Sequence, residues 1–213
     1  MTSGSEEEQL AQIKEWWQRN GKPLLLGAAV ALVLVFGWQY WQRYQLNQSQ
    51  SASVIYQQLL NAALEQDGAD AAEVSRLGNL LQKEFSGSHY AQYGNLFVAK
   101  VAVESGRLDD AVTELQVVLD KPADQTLEEL ARQRLARVLA AQGKAEEGLA
   151  LLKGDAVEAF AASREELRGD LLVALKRPDE AHAAYSKAKE LLSQDAAIGG
   201  LQLKLDDLAR GEA

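Results

Sequence analysis

The chain has two histidines, His89 and His182, and no cysteine. A metal site or a nucleophile–base pair built on either imidazole would need carboxylates or a hydroxyl held at ligand spacing beside it. Neither has such neighbours: His89 falls at a turn between helices and His182 on a polar helix face. The acidic pairs Asp109-Asp110 and Glu146-Glu147 stand at helix starts, where the macrodipole already favours negative charge. Gly199-Gly200 reads as a break between helices and not as a phosphate-cradling loop. These residues point away from an enzyme, a cofactor and a bound metal. The informative residue types are aromatic, small and large apolar ones, whose spacing serves membrane insertion, packing and protein recognition.

The elements that carry them begin with Pro23–Tyr44, PLLLGAAVALVLVFGWQYWQRY. No charge occurs from Pro23 to Gln42, and Leu24–Tyr44 makes a helix about 30 Å long, the thickness of a bilayer's hydrocarbon core. Trp16 and Trp17 precede the span and Trp38, Tyr40, Trp41 and Tyr44 close it, so all four tryptophans stand at headgroup depth as interface anchors. A cleaved signal peptide would need small residues behind its apolar core, but Trp-Gln-Tyr-Trp-Gln-Arg follows instead, which favours an uncleaved anchor. Lys14, Arg19 and Lys22 on one side against Arg43 on the other predict a cytoplasmic N-terminus and a C-terminal domain beyond the membrane. Leu10, Ile13, Trp16 and Trp17 suggest a short amphipathic lead-in helix.

The formal charge of −9 belongs to the part after the span, where 27 acidic residues face 18 basic ones. Such a surface argues against nucleic acid and anionic lipid as partners of that domain. With few prolines and few alternating β-branched runs, the domain reads as all-α. The expected organisation is a tail (1–22), a transmembrane anchor (23–44), a polar linker or helix continuation (45–53) and a helical-repeat domain (54–213).

The repeats show at the turns. Gly106-Arg-Leu-Asp-Asp-Ala111, Gly143-Lys-Ala-Glu-Glu-Gly148 and Lys176-Arg-Pro-Asp-Glu-Ala181 start 37 and 33 residues apart. Five residues after each start comes a small residue (Ala111, Gly148, Ala181), and four further on a large one (Leu115, Leu152, Tyr185). Seven before each start comes another small one (Ala99, Ala136, Gly169). Small residues let paired antiparallel helices cross closely and large ones plug the gap, which is the tetratricopeptide pattern of an α-solenoid; an ordinary helical bundle is the alternative. Asp70 with Glu73, Thr126 with Glu129, and Ser163 with Glu166 read as capping boxes, and 51–86 as a degenerate first pair whose opening stripe ends at Asp67-Gly68. Projecting the repeat register puts Tyr93, Leu96, Lys100 and Val103, then Gln133 and Arg137, then Asp170, on a concave protein-binding face.

A short charged tail, the entry EWWQRNGKPLLLGAAVALVLVFGWQYW and an acidic tetratricopeptide-like domain together resemble the YfgM-like family, ancillary subunits of the bacterial SecYEG translocon. The resemblance covers the whole chain. It implies a single-pass inner-membrane protein with its repeats in the periplasm, joined to the membrane-anchored periplasmic chaperone PpiD, assisting unfolded or emerging secreted proteins. It also implies, as an alternative role, a membrane-tethered regulator whose cytoplasmic tail sequesters a stress-response regulator. It brings no catalytic residues.

Overall fold

A computed structural model of the chain describes residues 3–64, 70–192 and 199–210, and every regular element among them is helical. The expected stop at Asp67-Gly68 lies outside the described residues. Two compact units divide between Gln50 and Ser51.

The first unit is carried on α1 (Ser3–Ala63), a helix that continues across the unit boundary into the second unit. Residues 45–53 are therefore a continuation of the helix and not a break in it. The stretch QLNQSQSAS contains no glycine or proline that would stop one. Pro23 sits inside the helix; lacking an N–H, it leaves the carbonyl of Arg19 without its i+4 donor. The apolar stretch of α1 is long enough to cross a membrane, and none of it is buried within the protein. A core helix of a soluble domain would be covered, as the side chains of Leu26 and Val33, each 71% exposed, are not.

In the second unit Ala52, Leu59, Ala62 and Ala63 of α1 form a core cluster with α2 (Ala71–Phe85) and α3 (His89–Glu104). There follow α4 (Leu108–Asp120), α5 (Gln125–Ala141), α6 (Ala145–Leu151), a 3-10 turn (Glu158–Phe160), α7 (Ala161–Ala174), α8 (Pro178–Leu191) and α9 (Gly199–Arg210). From α2 onward each helix packs on the next in chain order, the arrangement of stacked helix pairs.

The three aligned turns share one backbone solution. In each, a residue with positive φ follows the helix: Gly106 (74°), Gly143 (79°) and Lys176 (59°). Its N–H reaches back to Val103, Ala140 or Val173, at 3.0, 2.9 and 2.9 Å. The next N–H, of Arg107, Lys144 or Arg177, reaches Ala102, Leu139 or Leu172, at 2.8, 2.8 and 2.9 Å. These are three Schellman caps, each satisfying two orphan carbonyls and reversing the chain. Glycine takes this conformation without penalty, whereas the Cβ of Lys176 crowds its own carbonyl. Lys176→Gly should therefore stabilise the domain by about 0.5–1 kcal/mol, read as a higher urea midpoint at unchanged slope.

The small-and-large pattern is the packing rule expected of it. Ala99, Ala136, Ala111 and Ala181 are buried, as are Leu115, Leu152 and Tyr185. A Cβ on Gly148 would stand 2.7 Å from the Ala136 carbonyl oxygen, so α5 and α6 touch there backbone to side-chain position. The pairs α3–α4, α5–α6 and α7–α8 thus repeat one crossing with different residues.

Helix starts differ from the expected capping boxes. Asp70 does cap α2, accepting from Ala72 and Glu73 N–H at 3.1 and 3.0 Å, but Glu73 turns outward to Arg76 at 2.7 Å. The cap of α5 is Asp124, not Thr126: it accepts from Leu127 N–H at 2.8 Å. α7 starts at Ala161, two residues before Ser163, whose hydroxyl donates to the Phe160 carbonyl at 3.0 Å. Gly199 and Gly200 are the first residues of α9 and not a break.

Candidate protein-binding face

The first helix of each pair (α3, α5, α7) carries the residues expected to bind. On α3, Tyr93 and Val103 are 37% and 40% exposed, and Lys100 is exposed with its ammonium 3.0 Å from Glu104. Tyr93 belongs to an aromatic group around Tyr56, whose ring centroid lies 6.0 Å from Tyr93, 5.6 Å from Tyr90 and 6.1 Å from Phe97. Burial, with the nearby Tyr93 and Tyr90, pushes the Tyr56 hydroxyl above the usual phenol range.

Leu96 is not part of this exposed set. It is buried in the same core cluster as Ala131 and Leu135 of α5, because the following pair stacks over that side of α3. Gln133 is also buried, and its role is internal. It donates to Glu129 at 2.8 Å, and its amide oxygen lies 3.2 Å from the Ser163 hydroxyl. Arg137 is exposed. Asp170 is half-buried and occupied: it accepts from the Tyr185 hydroxyl at 2.8 Å and from Lys204 of α9 at 2.6 Å. Burial first, then Asp170, raises Tyr185 far above its ordinary value. The face offered to solvent therefore consists of Tyr93, Lys100, Val103 and Arg137.

Beneath it lies a polar network that periodicity alone does not reveal. The Glu129 carboxylate and the Arg164 guanidinium, 2% and 4% exposed, form a two-pronged pair, with Nε donating at 2.8 Å and Nη2 to the second oxygen. Arg164 Nη1 also donates to the Gly154 and Asp155 carbonyls, at 3.2 and 3.1 Å. Gln92, one repeat earlier at the position of Glu129, does the same job with an amide. It donates to the Lys121 carbonyl at 2.7 Å and accepts from Ala123 N–H at 2.9 Å. Gln92 of α3 holds the loop after α4 directly, whereas Glu129 of α5 reaches the loop after α6 only through Arg164 of α7. Nothing here is arranged for chemistry. His89 Nε2 faces the capping Asp124 at 3.3 Å, His182 is exposed, and no metal-binding group of His, Asp and Glu occurs among the described residues.

On α1 the six expected interface aromatics are all about half-exposed or more, from Trp17 at 49% to Tyr40 at 74%. Trp38 and Trp41 lie against each other with ring centroids 5.3 Å apart and planes tilted by 43°.

Residues 14–210 match the family model described as a tetratricopeptide repeat-like domain. Three relatives named ancillary SecYEG translocon subunit align over nearly the whole chain. That of Haemophilus influenzae is 29% identical, over 89% of this chain and 91% of its own length. That of Neisseria gonorrhoeae is 30% identical, over 95% and 97%. That of Escherichia coli is 28% identical, over 96% and 97%. With the uncovered apolar helix, this likeness marks a membrane-anchored protein.

Proposed function

Because the chain belongs to the tetratricopeptide repeat-like family of ancillary SecYEG translocon subunits, a non-enzymatic family, we propose that it is a membrane-anchored scaffold that binds SecYEG. The observation that carries this reading is end-to-end likeness to relatives bearing that name, anchor and repeats together. The exposed Tyr93, Lys100, Val103 and Arg137 are the contact residues for polypeptide partners, with apolar side chains gripping and the cations orienting. The excess of basic residues before the span supports a cytoplasmic N-terminus, with the repeats in the periplasm. There the repeats would meet secreted chains as they emerge, alongside the membrane-anchored chaperone PpiD that the family resemblance implies.

Affinity capture of the full-length chain from gently solubilised membranes, read by mass spectrometry, should recover SecY, SecE and SecG, and PpiD with them. Capture without translocon subunits would remove the proposal. Protease added to spheroplasts should digest the domain from Ser51 onward; protection there would reverse the orientation.

A further inference from the structure

Of the second unit's arginines, eight have described side chains, and six of these hold a carboxylate. Arg76 pairs with Glu73, Arg107 with Asp110, Arg132 with Glu128, Arg164 with Glu129, Arg168 with Glu165 and Arg177 with Glu180. Arg134 and Arg137 do not, and they stand three residues apart on α5. In a domain with a marked excess of acid, two adjacent guanidiniums without a carboxylate are an anomaly. The side chain of Arg134 is part-buried, and its one recorded hydrogen bond is a long one, from Nη1 to the Leu96 carbonyl at 3.5 Å. Burial, and then the charge of Arg137, make it less basic than an ordinary arginine. The charge it feels most is therefore a like one.

The reason lies in the neighbouring repeats. The repeat register aligns Arg137 with Lys100 on α3 and Asp170 on α7. Lys100 is taken by Glu104. Asp170 and Glu166, the acidic residues on the exposed side of α7, are both taken by Lys204 of α9, at 2.6 and 2.7 Å. The terminal helix thus occupies the internal acids of α7, and among the described residues no carboxylate pairs with Arg134 or Arg137 of α5.

We propose that Arg134 and Arg137 seat the carboxylates of an acidic stretch in the polypeptide that this face binds. The inference rests on the proposed polypeptide-binding role and adds the partner's charge. A guanidinium fork suits a carboxylate in two-pronged geometry, and the part-buried position of Arg134 strengthens such a bond over one in open water. Glutamate or aspartate side chains at helical or extended spacing would meet both arginines, with neighbouring apolar residues free to reach Tyr93 and Val103.

The test uses the full chain in detergent and a short fluorescein-labelled peptide carrying glutamates among leucine and serine, beside its glutamine counterpart. Fluorescence anisotropy should show the glutamate peptide binding about ten-fold more tightly or better, with the advantage shrinking as salt rises. Arg134→Gln/Arg137→Gln should abolish that advantage without lowering the melting temperature, since it removes a repulsion. Arg134→Lys/Arg137→Lys should keep most of it, and Lys153→Gln, which removes a cation outside the face, should leave it intact. Equal binding of the two peptides, an unaffected double glutamine variant, or an equal loss in Lys153→Gln would each overturn the proposal. Translocon recovery with the unmodified chain separates the two readings. SecYEG captured with no glutamate preference sinks only the acidic partner, whereas no SecYEG sinks the function on which it rests.

Discussion

Arg164→Met should cost the repeat domain about 3–5 kcal/mol at neutral pH, read from urea unfolding of the full chain in detergent. The variant leaves the Glu129 carboxylate buried with Gln133 as its remaining hydrogen-bond donor, and it releases the Gly154 and Asp155 carbonyls that Arg164 also holds. The loss is that of an uncompensated buried charge, not the net worth of the pair, which desolvation makes small. Replacing both residues, as Glu129→Leu/Arg164→Met, should therefore be clearly more stable than Arg164→Met alone. A cost below about 1 kcal/mol for the single variant would show that the pair is not what fastens the α6–α7 loop.

The pH dependence carries the same sign test. Burial by itself would raise the Glu129 pKa. The hydrogen bonds from Arg164 and Gln133, with the charges of Arg164 and Arg132, outweigh it and hold the carboxyl below its ordinary value. A lowered native pKa means that this stabilisation is fully present above the unfolded-state value near 4.5 and is lost as pH falls through the native one. In Arg164→Met the guanidinium is gone and burial dominates, so the native state gains affinity for a proton. The gap between variant and parent should then narrow as pH is lowered from 7 towards 5. A gap that stays constant over that range would place the loss in packing instead.

That pair was out of reach of sequence reasoning for a definite reason. Its partners lie 35 residues apart, and local spacing gave Glu129 another occupation, the third residue of a capping box opened by Thr126. The helix in fact starts at Gln125, capped by Asp124, and this moves Glu129 two positions further into the helix, to a place where it meets Arg164 of the next pair. Ser163 repeats the lesson: a good local capping motif lost to a start two residues earlier, where the 3-10 turn delivers the chain into α7. Leu96 was placed on the exposed face because register tells which side of α3 a residue occupies. It does not tell how far the next pair reaches over it. By contrast, the turn positions and the small–large rule were legible, since one pattern of small and large residues recurs around three turns that start 37 and 33 residues apart. The uncovered anchor was legible for a simpler reason: its length and its aromatic flanks are properties of composition alone.

The small–large rule yields the second strong expectation, at Gly169. Alanine normally improves a helix interior over glycine by about 0.5–1 kcal/mol. Here the added Cβ would overlap the ring of Tyr185, which is buried and held by its hydroxyl on Asp170. A stiff ring fixed at both ends cannot swing aside, so Gly169→Ala should destabilise the domain by about 2–3 kcal/mol despite its better propensity. The equivalent pairs are Ala99 with Leu115 and Ala136 with Leu152, which fill the same crossing with a larger small residue and a smaller large one. Tyr185→Leu in the Gly169 background leaves a void and the Asp170 carboxylate short of a donor, and should also be costly. Combined, Gly169→Ala/Tyr185→Leu rebuilds the pairing of the other two repeats. It should be more stable than the sum of the single losses predicts, by 1 kcal/mol or more on a double-mutant cycle (about the scale of coupling between touching residues). If the two losses simply add, the volume exchange between Gly169 and Tyr185 is not what sets the α7–α8 crossing. The repeat would then owe its geometry to the turn at Lys176 and to the clasp of Lys204 on Glu166 and Asp170.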